Sequence, residues 1–130
     1  MNLDNWQAQL RKGLLDIAIL NLLEHNQLHG YEIVQIFKQS QGLRIHEGNI
    51  YPILARLKAD GLVTSHTKSS PEGPPRKYFK LTEVGRTTRA DMNLHWNRIN
   101  KTILNFRKGT YKWPQKVKYG KILKLNTSTK

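Results

Sequence analysis

The stretch Gly48-Asn49-Ile50-Tyr51-Pro52-Ile53-Leu54-Ala55-Arg56-Leu57-Lys58-Ala59-Asp60 decides the fold. Ile50, Ile53, Leu54 and Leu57 recur at the spacing of one helical face. Asn49, Pro52 and Arg56 fall on another side. A proline has no N–H and clashes with the preceding turn. The helix is therefore expected to begin at about Glu47–Asn49, where first-turn N–H groups have no intrahelical partner anyway. Gly61 then stops it. The expectation is a rod of about three turns with a polar N-terminal end and an exposed, mildly basic face. A helix of that kind suits the major groove of DNA, its first turns nearest the bases.

The preceding segments support such a helix. Asp4 or Asn5 is a candidate cap for a first helix. Trp6, Leu10, Leu14, Ile17 and Ala18 share one of its faces, and Leu15, Ile19, Leu22 and Leu23 add apolar surface elsewhere. A helix apolar around so much of its circumference is buried on more than one side. Gly13 weakens or bends it, or marks its start. Glu24–His29 reads as a polar connection. A second helix runs from Gly30 to about Gln41 and ends at Gly42, with Tyr31, Val34 and Phe37, or Ile33 and Phe37, turned inward. Two helices joined by a tight connection match helix-turn-helix logic.

Downstream, Leu62–Lys68 alternates and is rich in β-branched residues, so it predicts a strand. Ser69–Pro75 is a turn cluster, and Arg76–Leu81 returns as a second strand. The pair forms a hairpin with Lys68, Arg76 and Lys77 at and beside its tip. After a helix-turn-helix such a hairpin is a wing, whose tip lies along phosphates or enters the minor groove. Thr82 caps a last helix, and Glu83 suits its positive end. Met92, Trp96, Ile99, Ile103 and Phe106 are spaced 4, 3, 4 and 3 apart, a heptad-type seam of about two heptads. It implies a partner helix, either from a second subunit or the first helix of the same chain. Gly109 ends the seam.

At 130 residues the chain is one domain, or a small domain with a tail. It holds 22 Lys and Arg against 9 Asp and Glu. Residues 1–106 carry a net charge of +5 and residues 107–130 a net of +8, so most of the excess lies in the tail. The net of +13 points to a polyanionic partner, most often nucleic acid. In the tail, Tyr111, Trp113 and Tyr119 interleave with Lys112, Lys116, Lys118 and Lys121. That pattern suits nucleic acid, a membrane interface, or no specific role. There are no cysteines, which excludes disulfides and thiolate metal sites. The longest apolar run, Leu14–Leu23, is interrupted by Asp16 and Asn21 and is too short to span a bilayer. No N-terminal segment looks like a signal peptide. The five histidines form no ligand set: His25 and His29 straddle a loop and lack a supporting carboxylate cluster. Neither a nucleophile-elbow nor a phosphate-loop spacing is present. The expectation is a cytoplasmic protein that is not an enzyme and needs no metal or cofactor.

Four stretches together resemble the PadR family of bacterial transcriptional regulators, in its smaller, single C-terminal-helix form. They are Leu14–Leu23, His29-Gly30-Tyr31-Glu32-Ile33, Gly48–Leu57 followed by Gly61-Leu62-Val63, and Arg76–Arg86. Order and spacing agree over about residues 10–108. The resemblance implies a dimeric winged-helix repressor. It implies DNA contact by Asn49, Tyr51 and Arg56, support from Tyr31, and wing contacts from Lys68, Arg76 and Lys77. It also implies a small-molecule site between subunits. Asn49 stands where Thr or Ser is usual and Phe79 where Tyr is usual, and the basic tail lies outside the common pattern. An Asn can pair with an adenine edge, so a shifted operator preference is expected with it.

The expected fold is mainly α with a small β-hairpin: a winged helix-turn-helix plus a C-terminal dimerisation helix. Residues 1–81 form the DNA-binding domain, 82–109 the dimerisation helix and 110–130 a basic tail. The expected function is sequence-specific binding of a double-stranded operator by a ligand-responsive homodimeric repressor. A winged-helix protein-interaction module without its own operator is the alternative. Leu10, Leu14, Met92, Trp96, Ile99, Ile103 and Phe106 are the expected dimer contacts. Trp96 and Ile99 are the candidate contacts for a small aromatic or hydrophobic effector, since a Trp on a seam offers a flat face.

Overall fold

A computed structural model describes residues 1–114 of the chain. The elements in order are α1 (Leu3–His25), β1 (Leu28–His29), α2 (Gly30–Lys38), α3 (Glu47–Ala59), β2 (Val63–Ser70), β3 (Gly73–Leu81) and α4 (Glu83–Lys108). Residues 1–93 form one compact unit, and the chain from Leu94 on belongs to a second. The architecture is mainly helical with a small antiparallel sheet, a winged helix followed by a long C-terminal helix.

The core of the first unit comes from the helical faces read in the sequence. Ile50, Leu54 and Leu57 of α3 meet Ile33, Val34 and Phe37 of α2 and Ile19, Leu20 and Leu23 of α1. Val63, Phe79 and Leu81 close it from the sheet. Tyr31, expected as an inward position, is instead 46% exposed. Its place in the first turn of α2 precedes the stripe that faces the core.

Several boundaries differ from the sequence reading, each for a local reason. The cap of α1 is Asn2, two residues before the first candidate. Its Oδ1 accepts from the N–H groups of Asp4 at 2.8 Å and Asn5 at 3.3 Å. Helix α2 stops at Lys38 rather than near Gln41. The N–H groups of Gln39 and Ser40 fold back onto Ile36 and Phe37, three residues earlier, and Gly42 takes the left-handed turn at φ +80°. Pro52 lies in the second turn of α3, not the first, because the helix already begins at Glu47. With no N–H on Pro52, the carbonyl four residues before it, on exposed Gly48, is left for solvent. Helix α3 ends in a Schellman motif at Gly61, which has φ +77°. There the N–H groups of Gly61 and Leu62 donate to Lys58 and Leu57 at 3.0 Å.

The sheet has three strands, ordered β1-β3-β2. Leu28 and His29, read as part of a polar connection, pair with Phe79 and Tyr78. Two residues carry no alternation, so nothing in the sequence marked them as a strand. The hairpin is tighter than the turn cluster suggested: Ser70 already pairs with Gly73, which leaves Pro71-Glu72 as the turn. Pro74 and Pro75 therefore sit inside β3. Prolines are tolerated there because β1 pairs only with residues 78 and 79, so among the described residues no strand takes the N–H groups of that length of β3 on this side.

The start of α4 is fastened to the end of α3. Thr82 caps it, accepting from the Gly85 N–H at 2.9 Å, while the Thr82 hydroxyl donates to the Gly61 carbonyl at 2.6 Å. Buried Gly85 lies against Leu62, where an added Cβ would run into the Leu62 carbonyl oxygen. Further along, Asn93 and Asn21 exchange two amide hydrogen bonds of 2.7 and 2.9 Å, and Arg89 donates to Asn21 and Glu24. Met92 packs on the core.

In the second unit, α4 exposes Leu94, Ile99, Ile103 and Phe106, and Trp96 is half-buried. Gly109 (φ +74°) closes the helix, with Thr110 N–H donating back to the Asn105 carbonyl at 2.9 Å. Tyr111 then meets Phe106 edge-to-face with ring centroids 5.7 Å apart, and Trp113 lies 5.6 Å from Tyr111. Of the lysine–aromatic tail, Lys116, Lys118, Tyr119 and Lys121 lie outside the described residues.

Candidate nucleic-acid interface

The aromatic and basic residues singled out in the sequence gather on two sides of α3. On the first side, α2, α3 and β3 meet. Tyr51 projects from α3 over the start of α2, and Gly30 makes room for it: a Cβ there would overlap the tyrosine ring. Tyr31, Tyr51, Arg76 and Lys77 line one cleft of about 320 Å³ together with His29, Gly30 and two hairpin prolines. Arg76 places its guanidinium 5.9 Å from the Tyr31 ring centroid. A second hollow, of about 530 Å³, shares Tyr31 and Arg76 and is extended by Lys68 and Tyr78 towards the hairpin turn. The Lys68 ammonium lies 4.7 Å above the Tyr78 ring. A cation over an aromatic face is held by the ring quadrupole while its head stays open to other anions.

His29 ties this side together, and the sequence reading assigned it no such role. It caps α2, its Nδ1 accepting from the Glu32 N–H at 3.3 Å while Glu32 Oε1 accepts from the His29 N–H at 3.0 Å. This is a capping box with histidine in place of the usual Ser or Thr. The same ring stacks on Tyr31 at 6.4 Å and meets Tyr78 edge-on at 5.2 Å. Tyr78 in turn stacks on His66 at 6.1 Å. The spacing of Glu32 three residues after His29 was the available signal, but histidine is not a residue one reads as a cap.

Asn49 and Arg56 lie on the other side. With Ile53 they face a groove of about 700 Å³ against α1 and the segment before α3. Arg11, Lys12, Arg44 and His46 line the same groove, and none was singled out from the sequence. Arg56 is already engaged. Its two terminal nitrogens donate to both carboxylate oxygens of Asp16 at 2.7 and 2.8 Å. These hydrogen bonds, and after them the carboxylate's charge, hold the guanidinium pKa above its ordinary value. The pair bridges 40 residues of sequence, from α1 to α3. Asp16 was visible as a charge interrupting the Leu14–Leu23 run, and such a charge calls for a partner.

The expected association residues fall in two places. On α1, Leu10 is 43% exposed and Leu14 half-buried, both lining a shallow hollow of about 300 Å³ with Trp6 and Leu43. On α4, Ile99, Ile103 and Phe106 present exposed apolar surface. Among the described residues no group of three or more His, Asp or Glu side chains could hold a metal ion, and no helix is long and apolar enough to cross a membrane.

The family model of the Transcriptional regulator PadR-like family matches residues 19–91, more than half of the chain. Transcriptional regulator Rv3488 of Mycobacterium tuberculosis is 31% identical over 78 residues, which cover 60% of this chain and 71% of that protein. A crystal structure of a PadR-like transcription factor from Bacteroides fragilis is similar with a TM-score of 0.66 and 36% identity, covering 78% of this chain and 98% of the other. The structure of Bacillus subtilis PadR in complex with operator DNA is similar with a TM-score of 0.59 and 26% identity. That likeness covers 89% of this chain and 59% of the B. subtilis chain. The matched region runs from the buried half of α1 through the wing into α4, and the chain belongs to the PadR-like family of transcriptional regulators.

Proposed function

We propose that this regulator is a homodimeric repressor that binds a double-stranded operator in the cytoplasm. The observation that carries the reading is the convergence of Tyr31, Tyr51, Arg76 and Lys77 on one cleft between α2, α3 and the wing. Exposed tyrosines beside cations that have no carboxylate partner among the described residues provide hydroxyl donors and phosphate contacts together. The likeness to B. subtilis PadR, solved on operator DNA, supports it. In this reading α3 enters the major groove and Lys68, Arg76 and Lys77 of the wing follow the phosphates. Asn49 reads a base edge from the first turn. Arg56 reaches a phosphate only by exchanging Asp16 for it.

Residues 1–81 act as the DNA-binding domain, and α4 from 82 to 109 as the dimerisation element, with residues 110–130 a basic tail. Leu10 and Leu14 of α1 join Met92, Trp96, Ile99, Ile103 and Phe106 in the contact between subunits, Met92 from the inner edge of the seam where it also packs on the core. The exposure of Leu10, Ile99, Ile103 and Phe106 on a single chain supports the assignment. A small aromatic or hydrophobic effector binds against Trp96 and Ile99, and releases DNA by binding the two dimer geometries unequally.

The test is a gel shift with the promoter region next to the gene. Arg76→Ala and Lys77→Ala each weaken binding while sedimentation still shows a dimer. Unchanged affinity in both variants refutes the assigned contacts. A wild-type chain that sediments as a monomer at micromolar concentration refutes the dimer.

A further inference from the structure

We propose that Arg11, Lys12 and Arg44 form a second phosphate-contacting surface, on the flank of α3 opposite the wing. The inference rests on the operator binding proposed above and extends it to two residues of α1 and one in the turn between α2 and α3.

The two flanks are distinct on α3 itself. Tyr51 turns towards the wing cleft, while Asn49, Ile53 and Arg56, at helical positions i, i+4 and i+7, turn towards the groove beside α1. That groove is lined by Arg11 and Lys12 of α1 and by Arg44 just ahead of α3. Among the described residues no carboxylate lines it. Arg56 is neutralised by Asp16, but Arg11, Lys12 and Arg44 have no carboxylate partner among the described residues. Arg44 is held in place through its Nε, which donates to the Lys38 carbonyl at 3.4 Å and leaves its terminal nitrogens uncommitted among the described residues.

The geometry of DNA supplies the occupant. The major groove is about 12 Å wide, close to the diameter of a helix with its side chains, so a helix lying in it has a phosphate strand along each side. The wing serves one strand. Without the groove cations the other strand would face Asn49 and an arginine already bound to Asp16. Three unpaired cations beside those residues complement that second strand. The apolar floor of the groove, Leu15 and Ile53, matches the sugar edge of a backbone rather than a second charged layer.

The experiment measures operator affinity against salt for the full-length dimer and for a triple variant, Arg11→Gln, Lys12→Gln and Arg44→Gln. Each lost phosphate contact flattens the slope of log K against log salt by about 0.9. Three contacts flatten it by about 2.7, so the affinity lost between 50 and 200 mM salt becomes about 40-fold smaller. The single variant Arg44→Gln flattens it by about 0.9, which keeps the test intact should the triple variant fold poorly. Lys101→Gln, which removes an exposed cation outside both clefts, leaves the slope as in wild type. A triple variant with the wild-type slope, in a protein whose slope still responds to Arg76→Ala and Lys77→Ala, overturns the second flank and leaves operator binding standing. A wild-type protein that binds no operator overturns both.

Discussion

Replacing Gly85 by alanine separates helix propensity from packing, because the two predict opposite signs. Gly85 lies in the first turn of α4, and in an unobstructed helix alanine is favoured over glycine by about 1 kcal/mol. Here the new Cβ would run into the Leu62 carbonyl oxygen. That oxygen cannot step aside cheaply. It accepts the Thr82 N–H at 3.1 Å, and its own residue donates to Leu57 at 3.0 Å. The Thr82 hydroxyl adds a 2.6 Å bond to Gly61 at the same turn. Making room means lifting α4 off the end of α3. Overpacking of this kind costs about 1–3 kcal/mol. Losing the Thr82–Leu62 backbone bond and weakening the Thr82 cap add about 1 kcal/mol each. Against a propensity gain of about 1 kcal/mol, the net is a destabilisation of roughly 2–4 kcal/mol, enough to lower Tm by about 10 °C or more. The assay is thermal unfolding followed by circular dichroism, at one fixed protein concentration because the Tm of any self-associating protein depends on it. Gly13→Ala is the internal control. It lies in α1 with nothing near a new Cβ, so it should gain up to about 1 kcal/mol and raise Tm. A Gly85→Ala protein as stable as wild type, or more so, refutes the packing argument.

Three further outcomes follow from the same geometry. Asp16→Asn costs less than about 1 kcal/mol of stability, because Arg56 is half exposed and the pair is screened by solvent. It should also raise operator affinity and steepen the salt slope by about 0.9 as Arg56 is freed for a phosphate. An affinity loss shared by Asp16→Asn and Arg56→Ala would instead mean that the pair works by holding α3 on α1. Gly30→Ala displaces the Tyr51 ring, and since that ring is 47% exposed the fold should tolerate the change while operator affinity falls severalfold. Retention of full affinity by Gly30→Ala would remove Tyr51 from the contact surface. His29→Ala removes the α2 cap, at about 1 kcal/mol in urea unfolding, whereas His29→Asn keeps a capping acceptor and recovers part of that loss. Equal losses in the two variants would show that the ring contacts, not the cap, carry the role of His29.

Patterns local to a helix or hairpin were legible in the sequence. The Ile50, Leu54 and Leu57 stripe, the alternating Leu62–Lys68 run, the Thr82 cap and the Gly109 stop all follow from spacing and backbone preference over a few residues. The winged-helix class followed from their order. What the sequence could not decide was anything that depends on two distant segments meeting. Strand β1 exists because Leu28 and His29 find the free edge of β3, some 50 residues away, and two residues have no period of their own. Arg56 was legible as an exposed cation, but only the packing of α1 on α3 hands it to Asp16. Asn49 and Tyr51, two residues apart, looked like parts of one surface. At about 100° per residue they point far apart around the helix, and the elements on either side divide them. The sequence by itself determined which residues form the helix at Gly48–Asp60 and which of its faces is buried. Tertiary structure alone decided that its exposed residues face two separate clefts, because each cleft is completed by side chains from α1 or from the wing.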